Sequence, residues 1–129
     1  MNRTVREIIA GKPAVWVKPN CSVREAARAM YDGDVGAVVV MEAGHLRGIF
    51  TERDALRFFA ATRRNPYTID VDAVMTRDPV TIPADTTAEQ ARGLMLAKGF
   101  RHLPVVDGDS VLGVVSLRGV ARVANGEPR

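Results

Sequence analysis

Thr51, Arg53 and Asp54 close the run Gly48-Ile-Phe-Thr51-Glu-Arg-Asp54, bringing a hydroxyl, a guanidinium and a carboxylate together in quick succession. Thr51 ends a β-rich run and begins a helix, so its side chain is an N-cap. A hydroxyl there, beside free amides and the positive end of the helix dipole, can also face a phosphate or a ribose. Ser116 has the same setting later in the chain. Asp54, three residues after Thr51, is either the acidic half of a capping box or an acceptor for a ligand, and the local pattern leaves both open.

The remaining candidates do not assemble into a catalyst. His45 and His102 are the only histidines and Cys21 is the only cysteine. There is no HExxH, no CxxC, no paired-carboxylate constellation and no phosphate-binding Gly-x-x-x-x-Gly-Lys-Thr/Ser loop, so neither an enzyme nor a metal site is expected. Cys21 reads as a small packing residue, and a lone thiol fits a reducing cytoplasm. The 18 basic and 15 acidic residues give a net charge of +3. Apart from Arg63-Arg64 the basic residues are scattered, which argues against nucleic acid and suits a small anion such as a nucleotide phosphate. Apolar residues make up 47% of the chain, enough for a core. No apolar run approaches the roughly 20 residues of a membrane helix, and residues 1–10 lack the apolar stretch of a signal peptide. A soluble, cytoplasmic domain is expected, with no membrane association.

The elements that position these residues occur twice. Sliding residues 17–54 onto 82–119 brings Val17 onto Ile82, Ala26 onto Ala91, Met30 onto Met95 and Val40 onto Val105. Gly48 falls on Gly113, Thr51 on Ser116 and Arg53 on Arg118 without a gap. Upstream, Pro13 matches Pro79 and Ile8-Ile9 matches Val74-Met75, which puts one extra residue near Ala14 to Trp16. A duplicated unit of about 60 residues follows.

Each copy predicts the same elements. Ser22-Val-Arg-Glu25 and Thr87-Ala-Glu-Gln90 are capping boxes, followed by the helical stripes Val23, Ala26, Ala27, Met30 and Ala88, Ala91, Met95. Two β-rich runs come next: Val35–Val40 and Leu46–Phe50 around Ala43-Gly44, then Leu103–Val106 and Val111–Val115 around Asp107-Gly108. These runs are continuous rather than alternating, so both sheet faces should be covered. A second helix starts at Glu52, reaching about Ala60, and at Leu117, reaching about Ala124. With leading strands at Val15–Val17 and Val80–Ile82, each copy is β-α-β-β-α. One copy is too small to bury its sheet well, so two are expected to pack through their sheets about a pseudo-twofold axis. The fold class is α/β (α+β), with repeats at 1–61 and 71–129 and a linker at 62–70.

Gly48-Ile-Phe-Thr51-Glu-Arg-Asp54 resembles the closing motif of CBS domains. Val74-Met75-Thr76-Arg-Asp-Pro79-Val80 resembles the opening of a second such repeat, and Arg101-His102-Leu103-Pro104-Val105-Val106-Asp107 resembles its middle strand. The resemblance runs from about Val5 to about Val123. It implies a tandem CBS pair, or Bateman module: a regulatory, non-catalytic unit that binds adenosine-containing ligands in two clefts between the repeats and commonly forms flat homodimeric discs. AMP, ADP and ATP are the implied ligands, with NAD and S-adenosylmethionine as further members of the class.

The resemblance also implies residue roles. Asp54 would accept from both ribose hydroxyls, its two oxygens matching a cis-diol. Thr86, Arg101 and His102 would reach the cleft closed by Thr51 and Asp54, the basic pair meeting phosphate. Arg101 and His102 read equally as solvent-facing residues at a strand start. Arg53 is a further phosphate candidate, and its match to Arg118 makes a structural role equally open. The position equivalent to Asp54 is Gly119, which supplies no acceptor. Cys21 aligns with Thr86 and would sit with Ser116 and Gly119 by a second, weaker cleft. Trp16, whose counterpart is Thr81, could plug a cleft, stack on adenine or cover a dimer surface. Phe58-Phe59 would lie in the core or at a dimer interface. The expected function is a sensor of an adenine nucleotide that signals to a separate effector protein. The alternative is a structural dimerisation or adaptor module without ligand binding.

Overall fold

The computed structural model describes residues 3–124 and 126, so the outer ends of the expected 1–61 and 71–129 stretches lie outside the described residues. The elements run α1 (Val5–Ile9), β1 (Trp16–Val17), α2 (Val23–Gly33), β2 (Ala37–Glu42), β3 (His45–Thr51) and α3 (Glu52–Ala61). A 3₁₀ turn (Val71–Ala73), β4 (Thr76–Arg77), β5 (Ile82–Pro83), α4 (Ala88–Lys98), β6 (His102–Asp107), β7 (Ser110–Ser116) and α5 (Leu117–Ala124) follow. Among the described residues there are thus five α-helices, and the strands form two sheets, β1-β2-β3-β4 and β5-β6-β7. The α+β class follows.

The duplication is visible hydrogen bond by hydrogen bond. β2 pairs with β3 from Ala37↔Thr51 to Glu42↔His45, and β6 pairs with β7 from His102↔Ser116 to Asp107↔Ser110. Both hairpins carry an irregularity at the same place, between Val40 and Met41 and between Val105 and Val106. Both capping boxes form: the Glu25 amide donates to Ser22 Oγ at 3.0 Å and the Gln90 amide to Thr87 Oγ1 at 3.1 Å. α2 and α4 also end alike, on left-handed Asp34 and Gly99, with the Val35 and Phe100 amides reaching back to the Met30 and Met95 carbonyls. This closure needs a positive φ, natural for glycine and tolerated by aspartate.

Two compact units result, and they are not two successive stretches of chain. One is Val15–Pro79; the other joins the described residues of Met1–Ala14 to those of Val80–Arg129. In the first unit the Val23 amide donates to the Ile69 carbonyl at 2.9 Å, and the Val71 amide to the Cys21 carbonyl at 2.8 Å. In the second, the Ala88 amide donates to the Arg3 carbonyl at 2.7 Å and the Val5 amide to the Thr86 carbonyl at 2.8 Å. The first turn of α2 and of α4 has amides without helical partners, and these carbonyls satisfy one of them in each. Sequence-equivalent leading segments are therefore exchanged. The segment ahead of β1 completes the later unit, and the segment ahead of β5 completes the earlier one.

The cores follow the same division. Val23, Ala26, Met30, Val38, Val40, Phe50, Phe58, Val71 and Met75 form one cluster. Val5, Ile8 and Ile9 join Ala91, Met95, Leu103, Val105, Val115 and Val120 in the other. A side chain as fully buried as Phe50 contributes about 1.5–3 kcal/mol by leaving water. Val39 and Ile49, on the opposite face of their sheet from Val38 and Val40, are also buried, as the unbroken apolar runs require.

Three local expectations shift. β2 begins at Ala37, not Val35, because the Val35 amide is spent closing α2. The second hairpin turns on Gly108 and Asp109, since Asp107 stays in the ladder opposite Ser110. Residues 65–70 are docked, not a free connector: the Arg24 amide donates to the Pro66 carbonyl at 2.9 Å, and Asp70 forms a bridge with Ser22.

Candidate functional site

α3 begins where β3 leaves the sheet, and the junction is fixed from both sides. The Glu52 amide donates to the Gly36 carbonyl at 3.0 Å, tying the helix start to the entry of β2. The Asp54 amide donates to Thr51 Oγ1 at 3.3 Å while the Thr51 amide donates to Asp54 Oδ2 at 2.9 Å. The Thr51 hydroxyl donates to the same oxygen at 3.1 Å. The capping box is therefore real, and Asp54 is held by it with only 14% of its side chain exposed. Its second oxygen faces Arg57 Nη1 at 3.7 Å. Arg53, on the same turn, projects to solvent.

The equivalent corner of the other unit keeps the frame and loses the carboxylate. The Leu117 amide donates to the Arg101 carbonyl at 2.8 Å, as Glu52 does to Gly36. The Gly119 amide donates to Ser116 Oγ at 2.9 Å, as Asp54 does to Thr51. Arg101, His102, Ser116 and Gly119 are thus brought to one corner, with His102 opposite Ser116 in the ladder. The electrostatics differ accordingly. Both first turns include an arginine, Arg53 and Arg118, but that of α3 also carries Glu52 and Asp54 at the positive end of its dipole, whereas that of α5 has no acidic residue. The α3 corner suits groups that donate hydrogen bonds, and the α5 corner tolerates anions.

Thr86 and Cys21 occupy matching turns ahead of α4 and α2. The Thr86 amide donates to the Pro83 carbonyl and the Cys21 amide to the Lys18 carbonyl, both at 3.1 Å. Burial, reinforced by Glu25 and Asp70, pushes the Cys21 thiol up to about 11, so it stays protonated and poorly nucleophilic near neutrality. Among the described residues no group of three His, Cys, Asp or Glu could hold a metal ion. Trp16 lies on β1 opposite Val39 with 57% of its surface exposed. Of the pair Phe58-Phe59, Phe58 is core and Phe59 is exposed, their rings meeting edge to face at 5.7 Å. Arg57 is a partner of Asp54 that the sequence motifs do not single out. Its signal was its place one helical turn after Asp54, a spacing that brings opposite charges together.

A family profile for the CBS domain matches this chain twice, over residues 5–61 and 63–126, and the chain belongs to the CBS-domain family. It is 36% identical over 105 residues to the CBS domain-containing protein YhcV of Bacillus subtilis, spanning 81% of this chain and 74% of that one. A putative signal-transduction protein with CBS domains from Burkholderia ambifaria superposes with a TM-score of 0.88 at 27% identity, covering 98% of this chain and 96% of that chain. The CBS domain pair of protein MJ0100, solved in complex with 5′-methylthioadenosine and S-adenosyl-L-methionine, superposes with a TM-score of 0.86. It covers 98% of both chains, and at 24% identity that likeness is one of fold. Among the described residues no helix is long and apolar enough to cross a membrane.

Proposed function

We propose that this CBS pair is a regulatory module that binds an adenosine-containing nucleotide, with Asp54 as the ribose acceptor, and passes its state to a separate effector protein. One observation carries the reading: a nearly buried carboxylate is held on the capped N-terminus of α3, while the matching place on α5 is Gly119. The α5 corner keeps its hydroxyl cap without a carboxylate, so the cap by itself does not call for Asp54. Thr51 and Arg53 share its turn. Thr86, Arg101 and His102 are the phosphate-side candidates, and Arg101 stands at the corner that tolerates anions. Cys21, Ser116 and Gly119 belong to a second, weaker site. AMP, ADP and ATP head the ligand class, with NAD and S-adenosylmethionine beside them. The MJ0100 pair, alike in fold and solved with two adenosine compounds, supports the choice of ligand class.

Isothermal titration with these five ligands tests the reading. Micromolar binding of at least one, lost in Asp54→Ala, is the expected result. Unchanged affinity in that variant removes Asp54 from the site.

The second reading is a dimerisation module without a ligand, supported by Leu56 and Phe59. These lie one turn apart on α3, 69% and 55% exposed, in keeping with a homodimer face. Nucleotide binding and dimerisation are compatible. The adaptor reading alone predicts a concentration-dependent dimer whose melting temperature no nucleotide shifts.

A further inference from the structure

The Asp54 carboxylate is nearly full. Each carboxylate oxygen offers two lone pairs. Those of Oδ2 are taken by the Thr51 amide at 2.9 Å and the Thr51 hydroxyl at 3.1 Å. Oδ1 faces the Arg57 guanidinium at 3.7 Å. A vicinal diol brings two further hydrogens and so needs both lone pairs of Oδ1. With Arg57 in place, one is obstructed.

Resting on the nucleotide reading above, we infer that Arg57 gates Asp54: its guanidinium stands against the carboxylate and must swing aside for a ribose diol. The two partners are unequal in the way a gate requires. Asp54 is fixed by its capping bonds and 14% exposed, whereas Arg57 is 68% exposed and free to rotate into water. At 3.7 Å the contact is an ion pair without a short hydrogen bond, so it opposes the ligand weakly. Exposed pairs of this kind correspond to about a two- to five-fold effect on an equilibrium. The opposition is selective. A 2′-deoxyribose supplies only one hydroxyl hydrogen, fits the lone pair that remains, and leaves Arg57 where it stands.

The experiment measures affinities for AMP and 2′-deoxy-AMP in the unaltered chain, Arg57→Met, Arg57→Lys and Asp54→Asn. Arg57→Met is expected to tighten AMP by about two- to five-fold and to leave 2′-deoxy-AMP unchanged. The ratio of the two affinities thus rises, and Arg57→Lys brings it back towards the original. Asp54→Asn is expected to collapse the ratio towards one. An unchanged ratio in Arg57→Met, with Asp54→Asn still impaired, overturns the gate and leaves the nucleotide reading standing. Equal weakening of both ligands in Arg57→Met makes Arg57 a phosphate contact and also overturns the gate. Unaltered binding in Asp54→Asn removes both the ribose assignment and the gate that depends on it.

Discussion

Met75 crosses the face of Gly48 so closely that a β-carbon on the glycine would collide with its sulfur and lie 2.8 Å from the Thr76 carbonyl oxygen. Gly113 stands in the same relation to Ile9, whose Cδ1 would be 2.9 Å from an added β-carbon. Each glycine is the gap through which a leading segment reaches the sheet it completes.

Replacing either glycine by alanine should therefore destabilise the chain, by about 1–3 kcal/mol for an overpacked site. Gly48→Ala should cost more than Gly113→Ala. At Gly48 the opposing atoms include a backbone carbonyl at 2.8 Å, whereas the nearest carbonyl at Gly113 is that of Lys12 at 3.2 Å. Urea unfolding of both variants checks the order. By comparison, Gly93→Ala on α4 meets nothing within 4 Å and should be stabilising by up to about 1 kcal/mol, as expected for alanine over glycine in a helix.

The exchange of leading segments sets which fragments hold together. A fragment of residues 15–79 retains Val71, Met75 and β4, which pack on or pair with its own sheet. An equally long fragment of residues 1–65 carries Val5, Ile8 and Ile9 instead, whose core lies elsewhere. Hydrogen exchange should show stronger protection of the β2 and β3 amides in the first fragment. Equal protection in both would mean that the segment from Val71 to Arg77 contributes nothing to the sheet it covers.

Gly119→Asp should rebuild a second ribose acceptor. The Ser116–Gly119 amide contact already matches that of Thr51 and Asp54, and the added β-carbon would lie 3.1 Å from Ser116 Oγ, a strain the hydroxyl can relieve by rotating. Calorimetric stoichiometry is expected to rise from one nucleotide to two per chain. A stoichiometry of two in the unaltered chain would show that Gly119 had cost nothing.

Cys21 gives a pH prediction. Its folded-state value is raised to about 11 from an ordinary 9.0, so the folded chain favours the neutral thiol more than the unfolded chain does. The stability this provides is complete below pH 9.0 and is lost as pH rises through about 11. Iodoacetamide should label Cys21 slowly at pH 8 compared with a free thiol, and Cys21→Ser should flatten the alkaline decline of the melting temperature.

Local pattern made much of this legible in the sequence. Ser22 with Glu25 and Thr87 with Gln90 state their helix starts outright, because a capping box is a contact between residues three apart, whereas for Asp54 the same spacing leaves capping and ligand binding both open. The match of Gly48 to Gly113 showed the hairpins to be equivalent. It could not show why both are glycine, since the crossing side chains, Met75 and Ile9, come from distant segments. The alignment of Ile8-Ile9 with Val74-Met75 established likeness without saying which sheet each would cover. Asp107 has the residue type of a turn but lies in a strand, because ladder register, not residue type, decides its place. Arg57 carries only the weak signal of an opposite charge one turn after Asp54, a spacing shared by many solvated pairs. Only the geometry gives it a partner.

The carbonyl of Arg3 on α4 and that of Ile69 on α2 have a consequence for how such a chain can originate. A lone repeat would possess a leading segment with no sheet of its own to complete and a helix whose first-turn amides awaited an acceptor from outside. Two separate repeats could settle both debts only by trading ends. The tandem chain makes that trade within one polypeptide, with the stretch 62–70 joining the two copies.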